Sequence, residues 1–380
     1  MPHGKYKFLG DYEFIWGPVR KGVSESILYN FLTSGEDLHN LDIKAGYKKR
    51  DSRKILSDKK NLEEQFLLIE RISGLHAFAA SLSFSLAAEN FFGLVDKIDP
   101  NVKLMRMFFA EFERIRNHIE NLSETAESTY IVVPSALYAY YAELLKQLSH
   151  KYLKSRYLMG VNGLCGIRKN LSLKDIEDIF NGVKLIVNKV QAVIKINLET
   201  KSHIDRLKTT GKISLKMAER FCARGIVAKS AGISADLRIK RPYLFYGETG
   251  LNPVIFEEGD AFSRYAVRIE EIGQSLDILE YCLETLKKNG FNKSENNHSQ
   301  KECLKSGIKL KRGFGYTESS EGAVFCYIKA FDGNIFKKIN IKYPFANNYK
   351  LFACGTKNTM MMDFNINETS YNFSVAALDG

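Results

Sequence analysis

The 380-residue chain is 45% hydrophobic and 12% aromatic, enough to bury a sizeable core in one large or two intimate domains, which excludes a disordered chain. Its net charge of +11 sits in short clusters such as "KAGYKKRDSRK" (44–54) and "KLKRG" (309–313). These lack the interleaved aromatic platforms of single-strand binders, so they read as solvated or docking faces and no nucleic acid is expected.

The N-terminus "MPHGKYKFLGDYEF" has no apolar core of signal-peptide length, and no run approaches the roughly 18 apolar residues that span a bilayer. Next, "SILYNFL" and "LHNLDI" flank the turn "TSGED" and predict a hairpin. From about residue 60 the apolar spacing changes to three and four. Leu104, Phe108, Phe112, Ile115, Ile119 and Leu122 line one stripe of a long helix whose other side carries Glu111, Glu113, Arg114 and Arg116. Residues 175–208 continue the helical period. "AFSRYAVRIEEIGQSLDILEYCLETLKK" sets Tyr265, Ile269, Ile272, Leu276, Leu279, Leu283 and Leu286 on one seam, a stripe that reads as core. The Asn-, Lys- and Ser-rich stretch 287–302 reads as a loop. Beyond it the period becomes two, and "GAVFCYIKAF", "DGN" and "IFKKINIKY" form a hairpin signal. Six cysteines, Cys165, Cys222, Cys282, Cys303, Cys326 and Cys354, stand at least 21 positions apart. No CxxC clamp or disulfide framework follows, and a reduced, cytosolic setting is expected.

Several separated stretches carry a family likeness: "WGPV", "GYKKR", "ERISG", "EFERIRNHI", "GIRKNL", "GIVAKSAGISADLR" with "RPY", and "DAFSRYAVRIEEIGQSLDILE". In this order they resemble the large subunit of nickel-iron hydrogenases, in particular the energy-converting branch, and its complex I relative, the 49 kDa subunit of NADH:quinone oxidoreductase. The likeness covers nearly the whole chain. It implies a mainly α fold with small β regions: a long-helix bundle with N-terminal and C-terminal β-hairpins, divided as 1–55, 56–290 and 303–380 within one hydrogenase-like domain.

The resemblance also implies the sites. A nickel-iron centre needs four soft thiolates, the first two from a CxxC that here falls on Ser73 and His76. The second pair is expected after an Asp-Pro that aligns with "ALDG", at Leu378 to Gly380, and Cys354 lies too early to replace it. Arg53 stands at the position of a proton-passing glutamate. No metal ligand set and no hydrogen activation are therefore expected.

The quinone-binding positions of the complex I relatives fall on Ser24, Gly74 and Ser128. Glu127, beside Ser128, and His76, one turn from Gly74, are the substitute candidates for proton donation. Arg71 matches an arginine beside a 4Fe-4S cluster of the small partner subunit, where a fixed positive charge raises the cluster potential. It reads equally as a helix-opening ion pair with Glu70 or Glu111. A second cluster-facing position is Leu158. His118 matches a family histidine and also reads as a packing residue.

Arg20, Lys21 and Lys49 replace family histidine and proline positions and make the cavity mouth cationic. That charge suits an acidic carrier such as a ferredoxin, or a solvated rim. The expected role is a subunit of a membrane-associated complex. It lies on the cytoplasmic side, is peripheral through its partners, packs against an iron-sulfur small subunit, and has no cofactor of its own and a possible quinone. The alternative is a catalytically silent structural subunit.

Overall fold

The computed structural model describes residues 11–19, 26–47, 49–291, 310–357 and 359–379. The predicted first hairpin forms, as β2 (Ile27–Ser34) and β3 (Asp37–Ala45), and β1 (Tyr12–Trp16) adds a third antiparallel strand against β2. Alternation along β2 turns Ile27, Tyr29 and Phe31 inward, where Phe31 meets Phe364 edge-on at 4.9 Å between ring centroids.

Two short helices, α1 (Ser52–Ser57) and α2 (Leu62–Ile69), lead to α3 (Ala77–Phe91). The bundle then builds from α4 (Pro100–Ser128), α5 (Val132–Leu153) and, after the two-residue strands β4 (Asn162–Gly163) and β5 (Gly166–Ile167), α6 (Leu173–Glu199). Ser172 and Asp175 close a capping box at the start of α6, satisfying helix-end amides reciprocally. The helical period read over 175–208 is interrupted at Thr200, whose backbone is extended (φ −82°, ψ 97°), and resumes as α7 (Lys201–Leu207). The short helices α8 (Leu215–Arg220), α9 (Gly225–Ser230) and α10 (Leu237–Lys240) follow. The long helix α11 (Ala261–Lys288) is capped by Asp260, whose carboxylate accepts the Ser263 N–H at 2.8 Å.

Most of the predicted loop 287–302 lies outside the described residues, apart from its first five. The C-terminal hairpin forms as β7 (Gly322–Asp332) and β8 (Ile335–Lys342), with β6 (Arg312–Ser319) completing a second three-stranded antiparallel sheet. Beyond it the chain turns helical again, as α12 (Phe345–Gly355) and α13 (Phe364–Tyr371). Among the described residues no helix is long and apolar enough to cross a membrane.

Three apolar clusters hold the described parts. The largest joins α4, α5, α6 and α11; a second lies between α2, α3 and the C-terminal sheet; the third joins the N-terminal sheet to α12 and α13. The C-terminal sheet reaches α3 closely because β6 carries glycines there: a Cβ on Gly315 would stand 2.2 Å from the Ser83 carbonyl oxygen, and one on Gly313 2.2 Å from that of Ala87. The apolar stripe of α4 is buried as its spacing predicts. Its charged side is buried too, with Glu111, Glu113, Arg114 and Arg116 at most 2% exposed.

Candidate functional site

The passage from α2 to α3 gathers four of the residues singled out in the sequence. It is a turn rather than the opening of a helix. Ser73 is extended (φ −137°, ψ 115°), a single 3-10 turn spans Gly74–His76, and α3 begins at Ala77. This geometry buries Ser73 and His76 and leaves Arg71 and Gly74 exposed.

Inside the corner, Ser73 Oγ lies 3.1 Å from Ser374 Oγ, both hydroxyls buried. The His76 side chain is enclosed, with its ring 5.3 Å from Phe345 and 6.1 Å from Tyr343. Among the described residues neither His76 ring nitrogen has a hydrogen-bond partner, nor do Arg116 Nη1 and the Tyr343 hydroxyl. Burial, then the charges of Arg116 and Arg114, push the His76 imidazole down to about 3, so it is neutral at neutral pH. Glu113 accepts the backbone N–H groups of Phe78 at 2.7 Å and Ala79 at 3.0 Å, anchoring the start of α3 where amides have no helical partner. Burial raises its carboxyl to about 7, against Arg116 and those two amides. Asn117 ties the corner to β6–β7: its side-chain NH2 donates to Leu75 O at 2.6 Å and to Ser320 Oγ at 3.0 Å.

Arg114 carries the corner into a buried ionic network. It meets Glu111 at 3.0 Å and Glu271 at 3.2 Å. Arg238 joins Glu111 at 3.1 Å and Asp236 at 2.7 Å, and Lys229 joins Asp236 at 2.6 Å and Glu271 at 2.5 Å. Three cations thus face three carboxylates, each side chain at most 5% exposed. Burial alone would raise Glu271, but Lys229, the His118 hydrogen bond and Arg114 outweigh it and hold the carboxyl well below its usual range. His118 Nε2 sits 2.8 Å from Glu271 Oε2. Burial lowers its imidazole to about 4 against the pull of that carboxylate. His118 is therefore built into this network, under α11.

On the outer side, Arg71 donates to Leu67 O at 2.9 Å. Glu70 turns inward and accepts the Gly160 N–H at 2.8 Å instead of closing an ion pair with Arg71. Burial raises the Glu70 carboxyl to about 7, against that amide and the charges of Arg168 and Arg71. Lys49, ion-paired with Asp51 at 3.3 Å, and Arg53 are both exposed, and Arg50 donates to Ile72 O at 2.8 Å, fixing this basic segment to the corner. Leu158 is buried with a left-handed backbone (φ 59°).

Ser128 and Glu127 stand apart. Ser128 caps back onto Thr125 O at 2.8 Å, and Glu127 is exposed. They lie eleven or more residues along α4 from Arg116, about 16 Å at the helical rise. Ser24, Arg20 and Lys21 lie outside the described residues.

As a metal cradle this donor set does not fit. The Ser73 hydroxyl is engaged by Ser374, and His76 is a single imidazole without a thiolate beside it, whereas nickel and iron of this kind ask for soft sulfur. Among the described residues no group of three or more His, Cys, Asp or Glu side chains is arranged to hold a metal.

With the corner and its network laid out, comparison with known proteins places the chain. The model of the family described as "Respiratory-chain NADH dehydrogenase, 49 Kd subunit" matches residues 140–380. The chain belongs to this family. It is 27% identical over 342 residues to the NADH-quinone oxidoreductase C/D 1 protein of Aquifex aeolicus, covering 87% of this chain and 56% of that protein. It is 24% identical over 328 residues to membrane-bound hydrogenase subunit alpha of Pyrococcus furiosus, covering 84% and 75%. To formate hydrogenlyase subunit 5 of Escherichia coli it is 24% identical over 271 residues, covering 71% and 47%. The chain spans about half the length of the two NADH-quinone oxidoreductase C/D proteins it matches, from Aquifex and Hydrogenobaculum, 56% and 48%.

Among solved structures, a chain of the membrane-bound sulfane sulfur reductase, an archaeal respiratory membrane complex, superposes with a TM-score of 0.83 at 18% identity, over 98% of this chain and 99% of that one. That likeness shows the fold. The mainly α architecture with small sheets is the one implied by the sequence motifs, and the relatives are subunits of NADH-quinone oxidoreductase, membrane-bound hydrogenase and formate hydrogenlyase.

Sequence reasoning missed Glu113, Arg116, Tyr343 and Ser374 as members of the corner. The signal for the first two was present: Glu113 and Arg116 are charges set among Phe112, Ile115 and Ile119 of the apolar stripe of α4. Nothing local marks Tyr343 or Ser374, which arrive from the far end of the chain.

Proposed function

We propose that this family member is the large, hydrogenase-like subunit of a membrane-associated oxidoreductase complex, and that it does not activate hydrogen. The observation that carries this reading is the pairing of Ser73 with Ser374 at 3.1 Å, hydroxyl against hydroxyl where a thiolate cradle is required. In this reading the exposed Arg71 faces a 4Fe-4S cluster held by an iron-sulfur small subunit. The basic approach formed by Lys49, Arg50, Arg53 and Arg71 docks that subunit or steers an acidic carrier such as a ferredoxin.

A quinone is the acceptor to test first. A quinone headgroup takes up protons as it is reduced, and the group of this chain suited to the task is Glu113, whose carboxyl titrates near neutrality; burial pushes the Tyr343 hydroxyl well above its usual range, so it serves as a hydrogen-bonding group. His76, neutral and enclosed, serves there as a hydrogen-bonding group. It does not act as an imidazolium donor. Glu127, exposed at the far end of α4, takes part only if the pathway extends along that helix.

The complete burial of His76 also favours a second reading, a structural subunit that couples an electron-input module to a membrane module without chemistry of its own. Purification of the intact complex, with nickel and iron analysis and assays of hydrogen uptake and quinone reduction, separates these readings. Iron-sulfur signals from the small subunit and no stoichiometric nickel are expected. Stoichiometric nickel would overturn the proposal, and a competent complex that reduces no acceptor would select the structural reading.

A further inference from the structure

The outer face of the C-terminal sheet lies apart from the corner at Ser73 and takes no part in the reading above. Alternation on β6 sends Gly313, Gly315 and Thr317 inward, against α3, and Arg312, Phe314 and Tyr316 outward. The register pairs Arg312 with Lys329 and Phe314 with Tyr327 across β6 and β7, and Lys329 with Lys338 across β7 and β8. The face therefore carries aromatic rings flanked by cations.

Phe314 is 48% exposed and lies stacked on Phe325, with ring centroids 5.9 Å apart and planes 23° apart. Beside it opens a cleft of about 400 Å³ lined by Asn90, Leu310, Lys311, Arg312, Phe314 and Tyr327, a volume within the roughly 300–1,000 Å³ of small-ligand sites. None of Lys311, Arg312, Lys329 and Lys338 has a carboxylate within ion-pair distance among the described residues. Asn90 accepts the Phe314 N–H through Oδ1 at 3.1 Å, which leaves its NH2 group as a donor at the wall.

We propose that this cleft binds a nucleoside phosphate, its base against Phe314 and Tyr327 and its phosphates on Lys311, Arg312 and Lys329. Two features select that class. A planar, sequence-tolerant ring partner is what an exposed aromatic platform stacks. Unneutralised cations at one end of the same cleft favour an anionic tail, for which Arg gives paired hydrogen bonds. An acidic protein surface would also meet the cations, but it does not call for an open cleft beside a bare phenyl ring.

The test is fluorescence anisotropy of mant-AMP and mant-ATP on the full chain within its purified complex, with unlabelled ATP and inorganic pyrophosphate as competitors. Saturable binding is expected, displaced by ATP, and at least tenfold weaker in Phe314→Ala and in Lys311→Ala/Arg312→Ala, whose thermal unfolding should match the parent because the three side chains are exposed. Absence of mant-nucleotide binding at millimolar concentration would overturn the assignment. So would displacement by pyrophosphate as effectively as by ATP with Phe314→Ala unaffected, which marks an anion site only. Cross-linking of a benzoylphenylalanine at position 314 to a neighbouring subunit, with no nucleotide bound, would make the face a subunit interface instead.

Discussion

Ser73 and Ser374, 301 positions apart in the sequence, share one hydrogen bond of 3.1 Å in the buried floor of the α2–α3 corner. Removing either hydroxyl strands its partner away from water, which costs about 1–3 kcal/mol. Ser73→Ala and Ser374→Ala should each lower stability by that order. A double-mutant cycle by denaturant unfolding should return a coupling of about 1 kcal/mol. Additive losses would show that the two hydroxyls do not depend on one another.

His76 makes the fold sensitive to acid. Its folded-state imidazole lies at about 3, below the unfolded value near 6.5, so the unfolded chain binds the extra proton as pH falls. This contribution is fully present above about pH 6.5 and is lost toward pH 3, at a slope approaching 1.4 kcal/mol per pH unit. His76→Phe, which keeps an aromatic ring against Phe345 and Tyr343, should flatten the stability profile between pH 6 and 4. An unchanged profile in urea titrations would rule this out.

Glu113 works in the opposite direction. Its folded carboxyl is raised to about 7, so the folded state holds a proton that the unfolded chain releases near pH 4.5. Stability from this group is greatest below pH 4.5 and declines as pH rises to about 7. Glu113→Gln should weaken that decline. It should also cost about 1 kcal/mol, because one amide oxygen replaces two carboxylate oxygens at the Phe78 and Ala79 N–H groups. Both effects are read from chemical unfolding at pH 5 and pH 8.

Glu271 holds Lys229, Arg114 and His118 together. Glu271→Ala leaves three buried cations facing only the two carboxylates of Glu111 and Asp236 and should cost about 3–5 kcal/mol. His118→Asn, which gives up only the hydrogen bond to Glu271, should cost about 1–2 kcal/mol. Thermal unfolding ranks the two, and equal losses would contradict the network as described.

Arg71 is exposed and, among the described residues, hydrogen-bonded to the Leu67 carbonyl one turn before it. Arg71→Met should leave stability within about 0.5 kcal/mol, and on the proposed reading, in which Arg71 faces a small subunit's 4Fe-4S cluster, it should lower that cluster's midpoint potential in the intact complex. Redox titration followed by EPR would show this, and an unmoved potential would remove Arg71 from the cluster's surroundings.

Much of the scaffold could be read from residue order alone. The stripes of α4 and α11 and the hairpins β2–β3 and β7–β8 follow from periods of 3.6 and 2, which depend only on near neighbours. The third strands β1 and β6 escaped because each is short or glycine-rich: Gly313 and Gly315 dilute the alternating signal for the very reason that lets β6 approach α3. The break at Thr200 follows from backbone geometry that the apolar pattern does not register.

The site was legible as a list and not as a place. "ERISG" and the helix after it named Arg71, Ser73, Gly74 and His76. It gave no sign that Phe345, Tyr343 and Ser374 close over them, since contacts across hundreds of residues leave no local trace. The sequence set Glu111 and Arg114 opposite the apolar stripe of α4 without showing what they meet; pairing with each other, with Glu271 from α11 and with Arg238 at α10 makes their burial tolerable.

The Arg114 side chain donates to Ser319 O at 2.9 Å as well as to Glu271, so β6, α4 and α11 are fastened through one guanidinium. Amide protons in these three elements should consequently exchange with deuterium only when the whole fold opens, while the rim around Tyr130 and Val132, 76% and 75% exposed, exchanges by small local excursions. A mechanical signal arriving at either end of α4 would then be transmitted through a stiff member and not absorbed within it.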